Sequence, residues 1–335
     1  KPIGTGPFKF VEWERGSHIS VVANEDHWRG RPYLDRILYR AIPDVSVATA
    51  AFEAGEVHYI SHPLNVREVF RLRDTGKFVH TVLPQTAIWH VAFNLEREPW
   101  NDVNLRQALV YAIDRADITE KSFTGSAVAK HLYLEGHPFT NNDVVLGDYD
   151  IETANKLLDE AGYPKDANGI RLKMEFTTYA VPITLDLADV LKEQLKKVGV
   201  DVTVKPLDIG THINVVSEKR DYDVSIYAWS QGPDPSMLNA YFLPGDFRNI
   251  YNYDNPRVTE LLKQGIATAD FEERKTIYYE LQEHLAKDMP RIPLFVQTYH
   301  YIANKDWHGF WFEPQTKSST GLTSFNLVWW EGGEE

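Results

Sequence analysis

The sequence predicts an α/β fold with two lobes and mixed sheets. Its 335 residues exceed the size at which a chain usually builds a single hydrophobic core. Strand-like and helix-like apolar patterns follow one another along most of that length, and residues 172–204 have the pattern of a strand, a helix and a strand. Such a β-α-β unit implies a parallel strand pair with a right-handed crossover, whereas a hairpin near the start implies antiparallel pairing.

The chain opens with a predicted β-hairpin. Residues 8–13 and 19–23 have strand patterns on either side of a Glu-Arg-Gly-Ser turn, and a Gly-Thr-Gly-Pro phrase precedes them. That phrase lacks the Lys-Ser/Thr of a P-loop and the third glycine of a dinucleotide fingerprint. It therefore does not predict a nucleotide site.

Three shorter patterns follow the hairpin. We expect a strand-like run at 57–60, an amphipathic helix at 66–74 and a strand at 78–83. His58 and His62 are four residues apart, which on a helix would suit a metal ion. In a strand-like run the same spacing only puts both side chains on one face, so we do not predict a metal site there.

The central segment has a strand at 89–94 and a helix that Asp102 is expected to cap. After Asp102, apolar residues such as Leu105 and Leu109 recur at helical spacing, which gives one apolar stripe. Arg106 falls off that stripe. From these patterns alone the segment is strand, loop and helix.

The next part of the chain supplies the β-α-β unit. Residues 123–138 are irregular and rich in Gly, His and aromatic residues, which predicts a loop over a cleft. Asp150 is the expected N-cap of a helix that ends at Gly162. A strand at 172–177 then precedes a long amphipathic helix and a second strand at 200–204.

The last third of the chain alternates in the same way. Residues 222–229 are strand-like and are followed by a Gly-Pro-Asp-Pro break. Two helices are expected at 256–268 and 271–287, and a strand at 291–302.

Composition excludes several classes of protein. A formal net charge of −13 argues against nucleic-acid binding, because phosphate recognition needs a basic face. The absence of cysteine excludes disulfides, thiolate catalysis and Cys-ligated zinc. No run of about 18 apolar residues is present, so we expect no membrane insertion of this segment.

No spacing in the sequence predicts an active site. The chain has no G-x-S-x-G or H-E-x-x-H motif, and its 12 His residues are scattered. We therefore predict a protein that is not an enzyme and uses no cofactor. A hydrolase with an unrecognised acid pair is the alternative from another class, and a chaperone-like protein that holds peptides is a further one.

A ligand-binding protein fits the sequence better. The aromatic content of 13%, with nine Trp, suits a concave pocket that has a few fixed polar groups. The best local candidate is the run Tyr227-Ala228-Trp229-Ser230-Gln231-Gly232-Pro233-Asp234-Pro235, where a strand ends in a loop and can aim side chains into a crevice.

Several phrases resemble a known family. The runs FN…PWNDVNLRQALVYAIDR, GTGP, NEDHWRGRPYLDRILYRAIPD and YDIETANKLLDEAGYP occur in the order typical of the extracytoplasmic solute-binding proteins of peptide and nickel ABC importers, family 5. The resemblance covers residues 4–330. It implies a periplasmic binding protein-like fold, with a first lobe from 1–85 and 291–335 and a second lobe from 86–290.

The resemblance also implies a function and partners. A peptide ligand, or another small molecule, would bind in the cleft between the lobes, and the closed protein would dock on the transmembrane subunits of an ABC permease. An oligosaccharide ligand is the alternative within the same family. The expected location is the periplasm, or the outer face of the membrane as a lipoprotein.

The resemblance implies candidate ligand residues as well. In peptide-binding relatives the loop after the strand runs Trp-x-x-Asp-x-x-Asp-Pro, and its first Asp pairs with the peptide ammonium. This chain is one residue shorter and has Gln231 and Gly232 at that place, while Asp234 matches the second Asp. Asp234 is also a good N-cap for a helix that opens at Pro235. The predicted ligand-binding residues are Tyr227, Trp229, Gln231 and Asp234, together with Trp89 and Asn94 of the central segment.

The resemblance gives one further expectation. Because the chain starts at Lys1, on the GTGP phrase, we expect a piece of a longer protein in which the N-terminal part of the first lobe is missing. Such a piece should bind ligand weakly and self-associate through an open sheet edge of that lobe.

Overall fold

The computed structural model describes residues 2–60, 64, 66–310 and 325–332. The strands are β1 (Phe8–Glu14), β2 (His18–Ala23), β3 (Arg36–Arg40), β4 (Phe78–Phe93), β5 (Ala127–Val128), β6 (Leu172–Tyr179), β7 (Val200–Leu207), β8 (Val224–Ser230), β9 (Arg291–Asn304), β10 (Trp307–His308) and β11 (Trp329–Trp330). The helices are α1 (Val45–Glu53), α2 (Val66–Arg73), α3 (Val103–Ala112), α4 (Arg115–Lys121), α5 (Ile151–Glu160), α6 (Pro182–Lys196), α7 (Ile209–Ile213), α8 (Leu238–Phe242), α9 (Pro256–Ala267) and α10 (Phe271–Asp288).

The chain divides into two compact units. The first comprises Lys1–Leu83 and Tyr299–Glu335, and the second comprises Pro84–Thr298. The boundaries between the two lobes that the sequence predicted lie at 85/86 and 290/291. The unit boundaries fall inside strands β4 and β9, and no turn or composition change marks either position in the sequence.

The first unit carries a three-stranded antiparallel sheet in the order β1-β2-β3. Phe8 pairs with Ala23, as the predicted hairpin requires, so that prediction is confirmed. One face of this sheet leaves apolar side chains in water: Trp13 is 59% and Tyr39 45% exposed. Self-association through this unit stays a prediction.

A small core lies under helix α2. Val69 and Leu72 pack with Phe52 and Phe78, and all four are buried. The predicted amphipathic helix is thus confirmed, since its apolar stripe faces this cluster. The prediction of a strand at 57–60 is wrong, because no strand forms over these described residues, and His62 lies outside the described residues.

The second unit is built on a six-stranded sheet in the order β5-β9-β4-β8-β6-β7. Strands β6 and β7 are parallel over their whole length, as the β-α-β prediction requires. Helix α6 connects them and buries Leu187, Leu191 and Leu195. Strand β8 pairs parallel to β6 and antiparallel to β4, so the sheet is mixed, as predicted.

Helix ends follow the predicted capping residues. The carboxylate of Asp102 accepts from the backbone N–H of Asn104 at 2.9 Å, and Asp150 accepts from Glu152 and Thr153 at 3.0 and 3.1 Å. Gly162 follows helix α5 with φ +89°, a conformation that glycine adopts without steric cost.

Arg106 is a charged residue outside the apolar stripe, and it is nevertheless buried. It is 4% exposed, and its guanidinium donates to the backbone oxygens of Trp100, Asp288 and Met289. Burial lowers the pKa of Arg106. The helix is therefore buried on a wider face than the stripe indicated, because backbone carbonyls of a distant segment solvate the charge.

Two predicted strands merge, and one shifts. The patterns at 78–83 and 89–94 form the single strand β4 of 16 residues. The predicted strand at 222–229 is β8, which begins at Val224 and ends at Ser230.

Candidate functional site

The candidate site is the carboxyl end of strand β8, which lies inside the central sheet between β4 and β6. Tyr227 and Trp229 are two residues apart, so their side chains stand on the same face of the sheet. Their ring centroids are 4.6 Å apart. Aromatic residues favour β-strands, and strand β8 thus places two adjacent aromatic rings at one end of the sheet.

Further rings from other elements complete what we call the aromatic cluster: Tyr179, His212, Tyr227, Trp229 and Tyr241. The Tyr241 ring stacks on Trp229 with centroids 5.6 Å apart and an interplanar angle of 19°. His212 lies 4.0 Å from Tyr179 and 5.4 Å from Tyr227 between ring centroids. Helices α7 and α8 and strand β6 therefore each supply one ring.

His212, the basic member of the aromatic cluster, is uncharged near neutral pH. Burial lowers the pKa of His212 to about 4, and its Nε2 lies 3.2 Å from the Ser225 hydroxyl. The Tyr179 hydroxyl donates to the Tyr227 oxygen at 2.8 Å, and burial raises the pKa of Tyr179. His212, Tyr227 and Tyr241 are buried, so the aromatic cluster can meet an apolar or aromatic ligand group only through the half-buried rings of Tyr179 and Trp229.

Trp229 is half-buried, as is Tyr179 among the other rings of the cluster. Its Nε1 is buried and has no hydrogen-bond partner among the described residues. The exposed Arg248 places its guanidinium carbon 5.6 Å from the centroid of the indole ring. A ring that is stacked on one side and partly open elsewhere has the geometry of a contact residue.

Gln231 follows the strand and is fully buried. Its Nε2 donates to the backbone oxygen of Trp229 at 2.8 Å, and its Oε1 accepts from Nη2 of Arg291 at 3.0 Å. Its backbone N–H donates to the Thr86 oxygen at 2.6 Å. These internal bonds correct the expectation that the Gln231 amide faces a ligand, because the amide is occupied in fixing the strand end.

Gly232 and Asp234 shape the loop that follows. Gly232 has φ +66°, and a Cβ there would come within 2.5 Å of the Met237 side chain. Asp234 caps the 3-10 turn Pro235–Met237 by accepting from the Ser236 N–H at 2.9 Å. Its carboxylate also accepts two 2.7 Å hydrogen bonds from Arg274, which hold its pKa well below the usual range. The capping alternative for Asp234 is thus the one that the structure supports.

Trp89 and Asn94 lie apart from the Trp229 side of the sheet. Trp89 is opposite Ala228 in the antiparallel register, so it stands on the other face, where it stacks on Phe295 with centroids 6.0 Å apart. Asn94 follows the opposite end of β8 and donates to the backbone oxygens of Arg220 and Tyr222, at 2.9 Å each. The structure thus places both residues away from Trp229, and ligand binding by Trp89 and Asn94 stays a prediction.

Sequence reasoning missed Tyr241, Arg248 and Arg291. Tyr241 and Arg248 follow the Gly-Pro break by several residues, and Arg291 opens a strand 60 residues away in the chain. No motif links these positions, and only the pairing of β9, β4 and β8 in one sheet brings Arg291 to Gln231.

Neither metal nor membrane features are found in the described part of the chain. No group of three or more His, Asp or Glu side chains there is arranged to hold a metal ion. Among the described helices, none has both the length and the apolar character needed to span a bilayer.

Comparison with known proteins identifies what the chain resembles. The family model described as "Bacterial extracellular solute-binding proteins, family 5 Middle" matches residues 1–249. The oligopeptide-binding protein AppA of Bacillus subtilis strain 168 is 28% identical over 332 residues, which are 94% of this chain and 60% of that protein. The chain thus spans about 60% of the length of this curated relative.

Solved structures share the fold. AppA from Bacillus subtilis in complex with a nonapeptide has a TM-score of 0.83 at 24% identity, over 98% of this chain and 67% of that one. NikZ from Campylobacter jejuni in complex with Ni(L-His) has a TM-score of 0.81 at 26% identity, over 92% of this chain and 64% of that one. The predicted α/β, periplasmic binding protein-like fold class is confirmed.

Proposed function

This chain belongs to family 5 of the bacterial extracellular solute-binding proteins, and from that premise we propose that it captures a peptide and delivers it to the permease of an ABC importer. The relative named as an oligopeptide-binding protein supports the choice of a peptide. The proposed location is extracytoplasmic, either free in the periplasm or held at the membrane as a lipoprotein.

The observation that carries the proposal is the aromatic cluster at the end of β8. Trp229 is half-buried, stacks on Tyr241 and has a cation beside its ring. A ring held in this way can bind a ligand side chain at little further cost in side-chain entropy. Together with the half-buried Tyr179 of the same cluster, Trp229 offers apolar ring surface to peptide side chains of many shapes, which suits a transporter of mixed peptides.

We propose further that no reaction occurs at this site. The basic and acidic groups at the strand end have structural bonds: the Asp234 carboxylate pairs with Arg274, and burial keeps His212 neutral. A general base needs both a free lone pair and access to substrate. If the protein were instead a hydrolase with an unrecognised acid pair, the following test would reveal it.

The test is a binding and recovery experiment on the intact protein. An equimolar library of di- to nonapeptides and a set of oligosaccharides are equilibrated with the protein. The free and bound fractions are then separated, and the compounds in each are identified by mass spectrometry. We expect peptides to be enriched in the bound fraction and recovered with unchanged masses. Enrichment of oligosaccharides alone, or the appearance of shortened peptides that depends on one carboxylate, would contradict the proposal.

A further inference from the structure

A pair of histidines joins two neighbouring strands of the first unit. His80 lies on β4 and His300 on β9, and both positions are close to the unit boundaries at Leu83 and Tyr299. Nε2 of His80 and Nδ1 of His300 are 3.0 Å apart, and the planes of the two rings differ by 14°. So short a separation between nearly parallel rings places them edge to edge. One N–H therefore points at the lone pair of the other ring.

Helix α2 covers this pair with the ring of Phe70. The ring meets both imidazoles edge to face, with centroids 5.8 Å from His80 and 5.7 Å from His300. Arg73 of the same helix places its guanidinium carbon 4.7 Å from the centroid of the Phe70 ring. His300 is only 9% exposed. The hydrogen bond between the imidazoles thus lies beside an apolar ring and a fixed positive charge, and it is largely shielded from water.

The other groups described around His80 do not balance a positive charge on it. The carboxylates of Glu53 and Glu68, on α1 and α2, accept hydrogen bonds of 2.8 to 3.0 Å from Arg71. Along the two strands, the residues two positions from each histidine share its face of the sheet and carry no charge. They are Phe78, Val82, Thr298 and Ile302.

The hydrogen bond survives one added proton but not two. In the neutral pair one N–H donates to one lone pair, and a proton added to an outer nitrogen strengthens that bond because the donor becomes charged. A second proton makes donors of both facing nitrogens and sets two like charges against each other. Burial lowers the pKa of His80, and the charges of His300 and Arg73 lower it further. The second proton therefore binds below the ordinary imidazole pKa of about 6.5.

We propose that His80 and His300 form an acid-sensitive clamp, which holds β4 to β9 near the boundary of the first unit and releases when the second proton binds. The clamp goes beyond the proposed function and does not depend on which ligand is bound. Strand β4 continues into the second unit, where Ile88 pairs with Trp229 on β8. Release in mild acid thus loosens a strand that also pairs with the strand of the candidate site.

Hydrogen–deuterium exchange of the intact protein, read by mass spectrometry, tests the clamp. Exchange is measured at about pH 7 and about pH 5 and is corrected for the intrinsic pH dependence of amide exchange. We expect the protection of residues 78–83 and 299–304 to fall about tenfold or more at the lower pH, because a pKa lowered by one unit corresponds to a tenfold change in the opening equilibrium.

Four variants assign the change to the histidine pair. His80→Gln should keep the protection in acid, because its amide can donate to neutral His300 and, once turned, accept from the protonated ring. His300→Gln repeats this test from the other strand. His80→Lys carries a permanent charge and should show at neutral pH the low protection that the parent shows in acid. His284→Gln removes an imidazole of helix α10 in the second unit and should respond to acid like the parent.

An equal loss of protection in the parent and in the two glutamine variants would overturn the proposal, because acid would then act at another group. A parent protein whose two segments keep their protection at about pH 5 would overturn it as well. Circular dichroism checks that each variant is folded, and either glutamine variant alone decides the test. Since no ligand is added, failure of the clamp and failure of the proposed function are distinguishable.

Discussion

Asp234 and Arg274 form a two-bond ion pair between the loop after β8 and helix α10, with both N···O distances at 2.7 Å. Arg274 is further fixed by donating to the Gly265 oxygen at 2.7 Å. The same carboxylate caps the 3-10 turn at Ser236. One acidic side chain thus fixes the loop that carries Gln231, and through it the end of the strand that carries Trp229.

Substitution of Asp234 should separate the ion pair from the cap. Asp234→Asn keeps an N-cap oxygen and should cost less than about 1 kcal/mol in urea unfolding, because the Asp234 side chain is 47% exposed. Asp234→Ala loses both bonds and should cost about 1–2 kcal/mol. Asp201→Asn, at an exposed position of β7, should change nothing.

The pH dependence of the free energy of unfolding provides the control for the Asp234 prediction. The pKa of Asp234 lies below its usual range, so the stabilisation is complete above about pH 4 and falls as the pH drops through the folded-state pKa. The parent and Asp234→Asn should therefore converge in acid. A difference between them that grows below pH 4 would contradict this assignment.

His212 should make the protein less stable in mild acid. Burial lowers its pKa from an ordinary value near 6.5 to about 4. Between these two values the unfolded chain binds a proton that the folded protein does not bind. The free energy of unfolding should drop by roughly 2 kcal/mol from this group between pH 7 and 5, and little further below pH 4. Urea unfolding of the parent and of His212→Gln measures the difference. Equal pH slopes in the two proteins would show that His212 titrates normally.

Gln231 should matter for stability through Arg291. Gln231→Met keeps the volume but leaves Arg291 and the Trp229 carbonyl with one bond fewer each, at a cost of about 1–3 kcal/mol in urea unfolding. Gln264→Met, at an exposed position of helix α9, is the matched control and should lie within about 0.5 kcal/mol of the parent. Equal stability of the two variants would mean that water replaces the Gln231 bonds.

The regular elements were largely predictable from local pattern. The helix after Asp150 begins and ends at its capping residues, and the strand-helix-strand unit at 172–204 forms a parallel pair, because these features depend on neighbouring residues alone. The prediction of a strand at 57–60 was wrong because β-branched and aromatic residues favour a strand only when a partner strand is available.

The chemistry of the site was less predictable. A Gln and an Arg look like surface residues in a sequence, yet Gln231 and Arg291 are buried against each other across 60 positions. Trp89 and Trp229 have the same strand-like context, and only the register of β4 against β8 puts them on opposite faces. Long-range pairing decides such placements, and single-sequence patterns do not contain it.

Trp229 should contribute directly to ligand affinity. Trp229→Ala in the intact protein removes a half-buried ring worth on the order of 1–3 kcal/mol of contact, so binding should weaken roughly 5- to 150-fold. Trp100→Phe, a change in a fully buried ring of the same unit, should lower the melting temperature without changing affinity. If Trp229→Ala behaves like Trp100→Phe, the ring is core and the prediction fails.

Native mass spectrometry of the intact protein, purified gently from its producing cells, tests the central claim most directly. A binding protein that holds peptides of mixed sequence should carry a ladder of co-purified masses. On release these should fragment as peptides with a free C-terminal carboxylate. A single sugar mass, a nickel complex, or a protein that stays empty even after incubation with the peptide library would contradict the account.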